Sequence, residues 1–453
     1  MKKRLGQVDA AFLRMETAQA PMHLGCLMTF KLPPGEGRQF LNDMFEQLRS
    51  QPFLPEPFGH RLVQGTLSDI APAWEPCDID MDFHVRHSAL PKPGGERQLG
   101  ELVQRLHSNA MDFARPLWEC HLIEGLENNR FAIYFKSHHC AIDGMGAMRL
   151  TKLWLTDDAS DMRWPGEREI PQAGTRLKKS LASKLAGVIR EAGDQARGLG
   201  QLASKLVEMS RGEGSTVRAA MDTPGSVFNK PVTRHRRLGT QVLELARIKA
   251  LSKTLGVTVN DVTLAIVSGA VRRYMLDNDA MAEKSLNASV PIGLARGDDQ
   301  SGNAVAGFVC PLATDEPDPL VRVRQINATT TRSKQELLSM SATALEQFTL
   351  MGLAPLMAGQ ITGTLSRLPP FFNFVVSNVV LTKHPLYLRG AELEAMYPMS
   401  ILFDGYAMNV TVIGYADKVC VGFIGCRKAV PHLQNLAVYT GEALEELERA
   451  AAG

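Results

Sequence analysis

Charge of one sign is what this 453-residue chain most lacks: 50 Lys and Arg stand against 48 Asp and Glu, a formal net charge of +2 with histidine neutral. That balance excludes a dedicated polyanion binder, and no nucleic-acid partner is expected. Cysteine is scarce, with seven residues, an odd number, widely scattered and without a C-x-x-C pair. Neither a disulfide framework nor a zinc ribbon is written here. No apolar run approaches the ~18 residues of a spanning helix. The basic start, Met1-Lys2-Lys3-Arg4, is followed by Gln7 and Asp9 where a secretory signal needs apolar residues. The expected location is cytoplasmic, with any membrane contact peripheral, on the inner membrane or on lipid inclusions. Repeats, low-complexity tracts and glycine-rich phosphate loops are also missing.

What is present is a globular composition, 45% apolar and 22% charged, too long for one core, since cores stop growing near ~250–300 residues. Periodicity predicts mixed α/β structure. Residues 39–50 and 98–113 read as amphipathic helices, and 131–137 as a strand that runs straight into His138-His139. Helical spacing returns at 145–155. The second half offers strands at 239–245, 286–291, 305–312, 372–380, 407–414 and 418–427, helices near 246–255 and 260–277, mostly helix over 318–360, and a final helix at 432–450. The expected domains are 1–170 and 236–453, joined by a linker over 171–235. Within that linker, residues 175–211 carry eight basic against three acidic side chains and an apolar stripe at helical spacing. Such a helix suits either an anionic lipid surface or a domain bridge.

The chemistry concentrates in His138-His139-Cys140-Ala141-Ile142-Asp143-Gly144. An imidazole at a strand end is a candidate general base, because its ordinary pKa of ~6.5 leaves it mostly neutral at pH 7. A carboxylate four residues on can hold the loop. Gly144 offers a backbone position for positive φ or for a close neighbour. Three other readings compete: a metal site, although no third ligand follows at helical spacing; a turn with locally satisfied His and Asp; and Cys140 as a thiol nucleophile.

His-His-x-x-x-Asp-Gly is the signature of the CoA-dependent acyltransferase superfamily, shared with condensation domains of peptide synthetases. The chain resembles its bacterial wax ester synthase/diacylglycerol acyltransferase branch over nearly its whole length. Similar segments are residues 9–25 with Phe12, Glu16 and Met22-His23, the Pro-Leu-Trp of Pro116 to Trp118, Asn260-Asp261, residues 291–303, and Asp404-Gly405 followed by Asn409. One departure is Val380 to Pro385, where the family has Pro-Gly-Pro after Ser-Asn-Val.

The resemblance implies two α/β sandwich domains of the chloramphenicol acetyltransferase kind, with a channel between them. It implies O-acyl transfer from acyl-CoA to a fatty alcohol or diacylglycerol, His139 acting as general base, His138 supporting it and Asp143 propping the loop. No metal or cofactor is implied, acyl-CoA being a substrate. An oxyanion donor is needed on physical grounds. Asn260 and Asn378 are candidates, each with a local alternative as a helix cap or turn residue. Leu402, Phe403 and Met408 are candidates for the acyl or alcohol pocket, or else core. The alternative functions are a carrier-protein-dependent condensation-type transferase and a non-catalytic lipid-droplet protein.

Overall fold

A computed structural model describes residues 2–50, 52–65, 72–168, 216–294, 304–340 and 342–453. The basic stretch 175–211, with its two expected roles, lies outside the described residues. In chain order the main strands are β1 His23–Lys31, β2 Val85–Ala89, β3 Trp118–Leu126, β4 Arg130–His138, β5 Arg236–Glu244, β6 Asn287–Leu294, β7 Ala304–Pro311, β8 Phe374–Thr382, β9 Tyr387–Leu388, β10 Ala391–Met399, β11 Met408–Tyr415 and β12 Lys418–Cys426. The main helices are α1 Gln7–Met15, α2 Arg38–Ser50, α3 Glu96–Ser108, α4 Gly144–Trp154, α5 Leu245–Leu255, α6 Val259–Asp277, α7 Pro319–Ser339, α8 Ala342–Thr362 and α9 Gln434–Ala452. The fold class is α/β.

Two units result. The first comprises Met1–Lys178, Arg234–Arg236 and Val380–Ile401. Its six-stranded sheet runs β9-β10-β1-β4-β3-β2. Neighbours are antiparallel except β2 and β3, which are parallel. β4 lies inside this sheet and is buried along most of its length, so its sequence reads as an apolar run and not as an alternation. α2 buries Phe40, Leu41, Met44 and Leu48, and α3 buries Leu99, Leu102, Val103 and His107. Both sets follow the three-to-four-residue spacing of one helix face. Phe131 of β4 stacks on Phe30 of β1 at 5.1 Å in this core.

The second unit comprises Lys179–Thr233, Arg237–Val379 and Leu402–Gly453. Its sheet runs β7-β6-β8-β11-β12-β5. α6 is buried nearly all round, from Asp261 through Val271, because α5, α7 and α9 pack on it. That explains its uniform apolarity, which would otherwise suggest a membrane helix. No single helix among the described residues is long and apolar enough to cross a membrane.

The division departs from the expected domains: Arg234–Arg236 fall in the first unit, the described residues 216–233 of the expected linker fall in the second, and the expected 236–453 domain is interrupted. Residues 380–401 leave the second unit and give the first sheet two strands, β10 pairing with β1 from Glu392↔Lys31 to Met399↔Gly25. Pairing partners more than 360 residues apart leave no mark in local periodicity.

Candidate functional site

β4 delivers the histidine pair to a fixed point. His138 stands opposite His23 of β1, and its amide donates to the Leu117 carbonyl at 3.1 Å. The amide of His139 donates to the Met22 carbonyl at 2.8 Å. The main chain is thus held on two sides before it turns. Ala141 and Ile142 then donate to the His138 carbonyl at 2.9 and 3.3 Å, closing the turn. Asp143 ends it as the N-cap of α4, its Oδ1 accepting from the Gly146 amide at 2.6 Å. The cap satisfies a helix N–H that would otherwise lack a partner.

The two imidazoles are treated differently. His138 is buried, and its Nδ1 accepts from the Cys140 amide at 3.1 Å. A main-chain N–H can only donate, so the ring proton sits on Nε2, which donates to Glu16 Oε2 at 3.0 Å. The same Glu16 oxygen accepts from the Met22 amide at 2.6 Å. Both nitrogens of His138 are therefore engaged, and Glu16 connects its ring to the residue whose carbonyl holds His139.

His139 keeps a partly accessible edge. Its ring stacks on Phe12 of α1 at 3.7 Å with 20° between the planes. Nδ1 is buried and meets no partner of full hydrogen-bond geometry among the described residues. Burial draws the imidazole pKa down to about 4, with Asp143 opposing that shift and His138 adding to it. The ring is neutral at pH 7 and has a lone pair to offer. The Cys140 thiol, by contrast, belongs to a fully buried residue inside the turn.

Gly144 needs correction. It is the first residue of α4, it has no positive φ, and a Cβ there would meet nothing within 4 Å. Gly146 is the crowded position: a Cβ would come within 2.9 Å of Ile142 Cγ1 and 3.1 Å of Asp143 Oδ1.

In the second unit, Asn260 and Asn378 are brought together, Asn378 Nδ2 donating to Asn260 Oδ1 at 3.1 Å. The cap of α6 is Thr258. Its hydroxyl accepts from the Asp261 amide at 3.2 Å, and Asp261 Oδ2 accepts from the Thr258 amide at 2.9 Å. Asp261 is buried and also accepts from Thr330 Oγ1 at 2.6 Å and Asn327 Nδ2 at 2.8 Å. Asp261 thus serves the fold, and the Asn260 side chain is left out of the cap.

Leu402 and Met408 are buried, and Phe403 packs on the Leu356, Leu365, Phe372 and Tyr406 cluster. Asp404 and Gly405 build a corner. Asp404 Oδ1 accepts from the Val232 amide at 2.9 Å, and Gly405 takes φ +83° where a Cβ would meet Ser366 Cα at 2.8 Å.

Two apolar cavities occur within the first unit. The larger lies between the sheet and α4, and its lining includes Cys26, Met28, Ser137, Ile142 and Ala147. Ser137 and Ile142 bracket the histidine pair in the chain. The smaller is lined by Leu48, Phe53, Phe58 and Val85 among others. Neither is lined by Leu402, Phe403 or Met408.

Glu16, Phe12 and Gly146 are site residues to which sequence reasoning gave no role. The first two stood in a segment similar to the family's opening, but nothing local links them to histidines more than 120 residues away.

Comparison with known proteins gives a consistent result. A model of the wax ester synthase/diacylglycerol acyltransferase catalytic domain matches residues 5–263, and one of the WS/DGAT C-terminal domain matches residues 301–448. A putative diacylglycerol O-acyltransferase of Mycobacterium tuberculosis is 48% identical, the alignment covering 99% of each chain. A probable diacylglycerol O-acyltransferase of the same species is 37% identical over 98% of each chain. The solved wax ester synthase/diacylglycerol acyltransferase of Marinobacter aquaeolei superposes with a TM-score of 0.80 at 33% identity, covering 100% of both chains. The first condensation domain of the calcium-dependent antibiotic synthetase shares the fold, with a TM-score of 0.60 at 14% identity over 100% of this chain and 96% of its own.

Proposed function

Since the chain belongs to the wax ester synthase/diacylglycerol acyltransferase family and is an acyltransferase, we propose that it moves a long-chain acyl group from acyl-CoA to the hydroxyl of a fatty alcohol or diacylglycerol, with His139 as general base. The observation that carries this reading is the contrast between the two imidazoles. His138 has both nitrogens occupied, whereas His139 is neutral, held by Phe12 and the Met22 carbonyl, and partly accessible.

In the reaction, Nδ1 of His139 faces protein, and Nε2 accepts the proton of the alcohol as its oxygen attacks the thioester carbon. The tetrahedral intermediate collapses with cleavage of the C–S bond. The imidazolium returns its proton to the departing sulfur, giving ester and CoA thiol. The low pKa suits the second half of this cycle, because a desolvated imidazolium is a strong proton donor. The scheme uses no acyl-enzyme, metal or cofactor.

Asp143 holds the loop that carries the base. The oxyanion needs a hydrogen-bond donor. Within the second unit, Asn260 has its Oδ1 taken by Asn378, which leaves its amide hydrogens to donate.

The test is an acyl-CoA release assay with 1-alkanols and diacylglycerols of graded length and no carrier protein. His139→Ala should lower turnover by roughly 10²–10⁴-fold, the contribution of a positioned base. Near-normal ester formation by that variant would overturn the mechanism.

A further inference from the structure

Lys136 is fully buried, an uncommon place for a lysine unless its charge is paired, and the reaction scheme above gives it no part. It stands on β4 two residues before His138. Side chains alternate along a strand. Phe135 and Ser137 face the cavity beside α4, which puts Lys136 and His138 together on the opposite face. There Nζ donates to the Leu106 and Asn109 carbonyls at 3.2 Å each and lies 3.3 Å from Glu119 Oε1. Three acceptors surround a group with three N–H bonds, so the side chain is the ammonium form. Burial lowers the pKa of Lys136, and Glu119 opposes that shift. Glu119 sits directly opposite on β3. Burial favours its neutral form, but the hydrogen bond with His121 and the charge of Lys136 draw its pKa down to about 2.

The two carbonyls belong to the end of α3, Leu106 in its last turn and Asn109 as its C-cap. Carbonyls there have no N–H ahead of them in the helix and carry the negative end of its dipole. His23 engages a third, its Nε2 donating to the His107 carbonyl at 2.7 Å. Across the β1–β4 pair, His23 is the partner of His138 and Gly25 the partner of Lys136. Gly25 lets the helix end come this close, because a Cβ there would lie 2.9 Å from His107 Nδ1. The end of α3 thus grips both strands beside the histidine turn, β4 through Lys136 and β1 through His23. The residue before His23 is Met22, whose carbonyl holds the His139 amide.

We propose that the C-terminus of α3 is a clamp for the histidine turn, with Lys136 and His23 as positioning residues that fix the ends of β4 and β1 and so hold His139 where it can take the alcohol proton. The inference rests on the acyl-transfer reading above, with His139 as base. Glu119 has a different duty. Its carboxylate is the counter-charge that lets an ammonium stay buried, whereas the position of the strand is set by the contacts to the helix carbonyls. Stability and positioning are therefore separable by substitution.

The experiment follows CoA release from palmitoyl-CoA with 1-hexadecanol in wild type, Glu119→Gln, Lys136→Met, His23→Phe and the double variant Glu119→Gln/Lys136→Met, with thermal melts to verify folding at the assay temperature. Lys136→Met leaves a buried carboxylate without its counter-charge and should melt well below wild type; the double variant removes both charges and should recover most of that loss. Its kcat should not recover, but stay about ten-fold or more below wild type, the scale on which a small misplacement of a catalytic group acts, with KM for palmitoyl-CoA unchanged. Glu119→Gln keeps an acceptor oxygen and both helix contacts, and should keep kcat. A folded double variant with wild-type kcat overturns the proposal. So does a Glu119→Gln protein whose kcat falls as far as that of the double variant, since the ion pair would then be responsible. His23→Phe removes the matching grip on β1 without touching a charge and should lower kcat in the same way; a folded His23→Phe with wild-type kcat overturns the clamp even where the Lys136 variants fail to fold. In a His139→Ala background the double substitution should lower the residual rate no further, because positioning has no base left to act on. A further fall there of about ten-fold also overturns the proposal, as residues that act through one group are not additive. Near-normal turnover by His139→Ala itself is the separate failure of the base reading, seen in a protein with Lys136 intact, and it takes this proposal with it.

Discussion

Glu16 accepts the ring proton of His138 at 3.0 Å although the two residues lie 122 positions apart. The same oxygen holds the Met22 amide, so one carboxylate ties α1, the start of β1 and the end of β4 into the histidine turn. His138 is oriented through this contact, and His139 through the Met22 carbonyl.

Removing that carboxylate should therefore affect both stability and turnover. Glu16→Ala leaves a buried imidazole N–H and an amide without their acceptor, costing about 1.5–3 kcal/mol for a hydrogen bond to a charged group. We expect kcat to fall with KM nearly unchanged. Glu16→Gln, which keeps one acceptor oxygen, should recover part of both. Urea unfolding alongside steady-state kinetics checks this; equal stability in all three proteins would refute it.

The two glycines of the turn should respond oppositely. Gly144→Ala has open space and a helical backbone, and should stabilise by about 0.4–1 kcal/mol through the unfolded chain. Gly146→Ala forces Ile142 and the Asp143 cap to move, and should cost about 1–3 kcal/mol. Denaturant midpoints for the pair suffice as the measurement.

Asn260 and Asp261 are neighbours with separable duties. Asp261→Ala leaves the partners of a buried carboxylate unsatisfied and should destabilise by about 3 kcal/mol or more. Asn260→Ala should leave the melting temperature close to wild type and lower kcat by roughly 10²-fold if it donates to the oxyanion. Loss of stability without loss of kcat in Asn260→Ala would return this residue to a structural role.

Acid should unfold the first unit early. Burial lowers the pKa of His23 to about 3 and of His139 to about 4, and lowers those of His84, His107 and His121. These groups have folded values below the unfolded ~6.5, so the unfolded chain takes up protons first. Their effect on stability is absent above that value, and stability is lost progressively as pH falls from 6.5 towards 3–4. A fully buried histidine such as His23 accounts for about 2 kcal/mol by pH 5. Unfolding midpoints at pH 7.5, 6.5 and 5.5, chosen as about one unit apart, should drop a little over the first step and roughly three times as much over the last. A flat profile would contradict the burial of these rings.

Much of the site was legible where chemistry and periodicity are local. The apolar run ending at His138, the helical spacing from residue 145 and the strand candidates of the second half all correspond to observed elements. β10 went unseen, and so did the contacts of Phe12 and Glu16 with the histidines, because side-chain spacing records what an element is and not what it pairs with. Phe135 and Trp154, which line apolar cavities, carry no mark of that for a related reason: a large apolar residue that lines a space and one that fills it look alike in sequence. Gly144 was credited with positive φ or a close neighbour, and the close neighbours are met two residues later, at Gly146.

The visit of residues 391–399 to the first sheet has a consequence for synthesis. Until the ribosome has passed Met399, β1 presents an unpaired edge, and that edge belongs to the strand that begins at His23, directly opposite His138. Exposed strand edges invite pairing with other chains. The histidine turn thus sits in a sheet that stays unfinished until nearly nine-tenths of the 453-residue chain has emerged, and a chain stopped at the end of its first domain would carry the reactive loop beside an open seam.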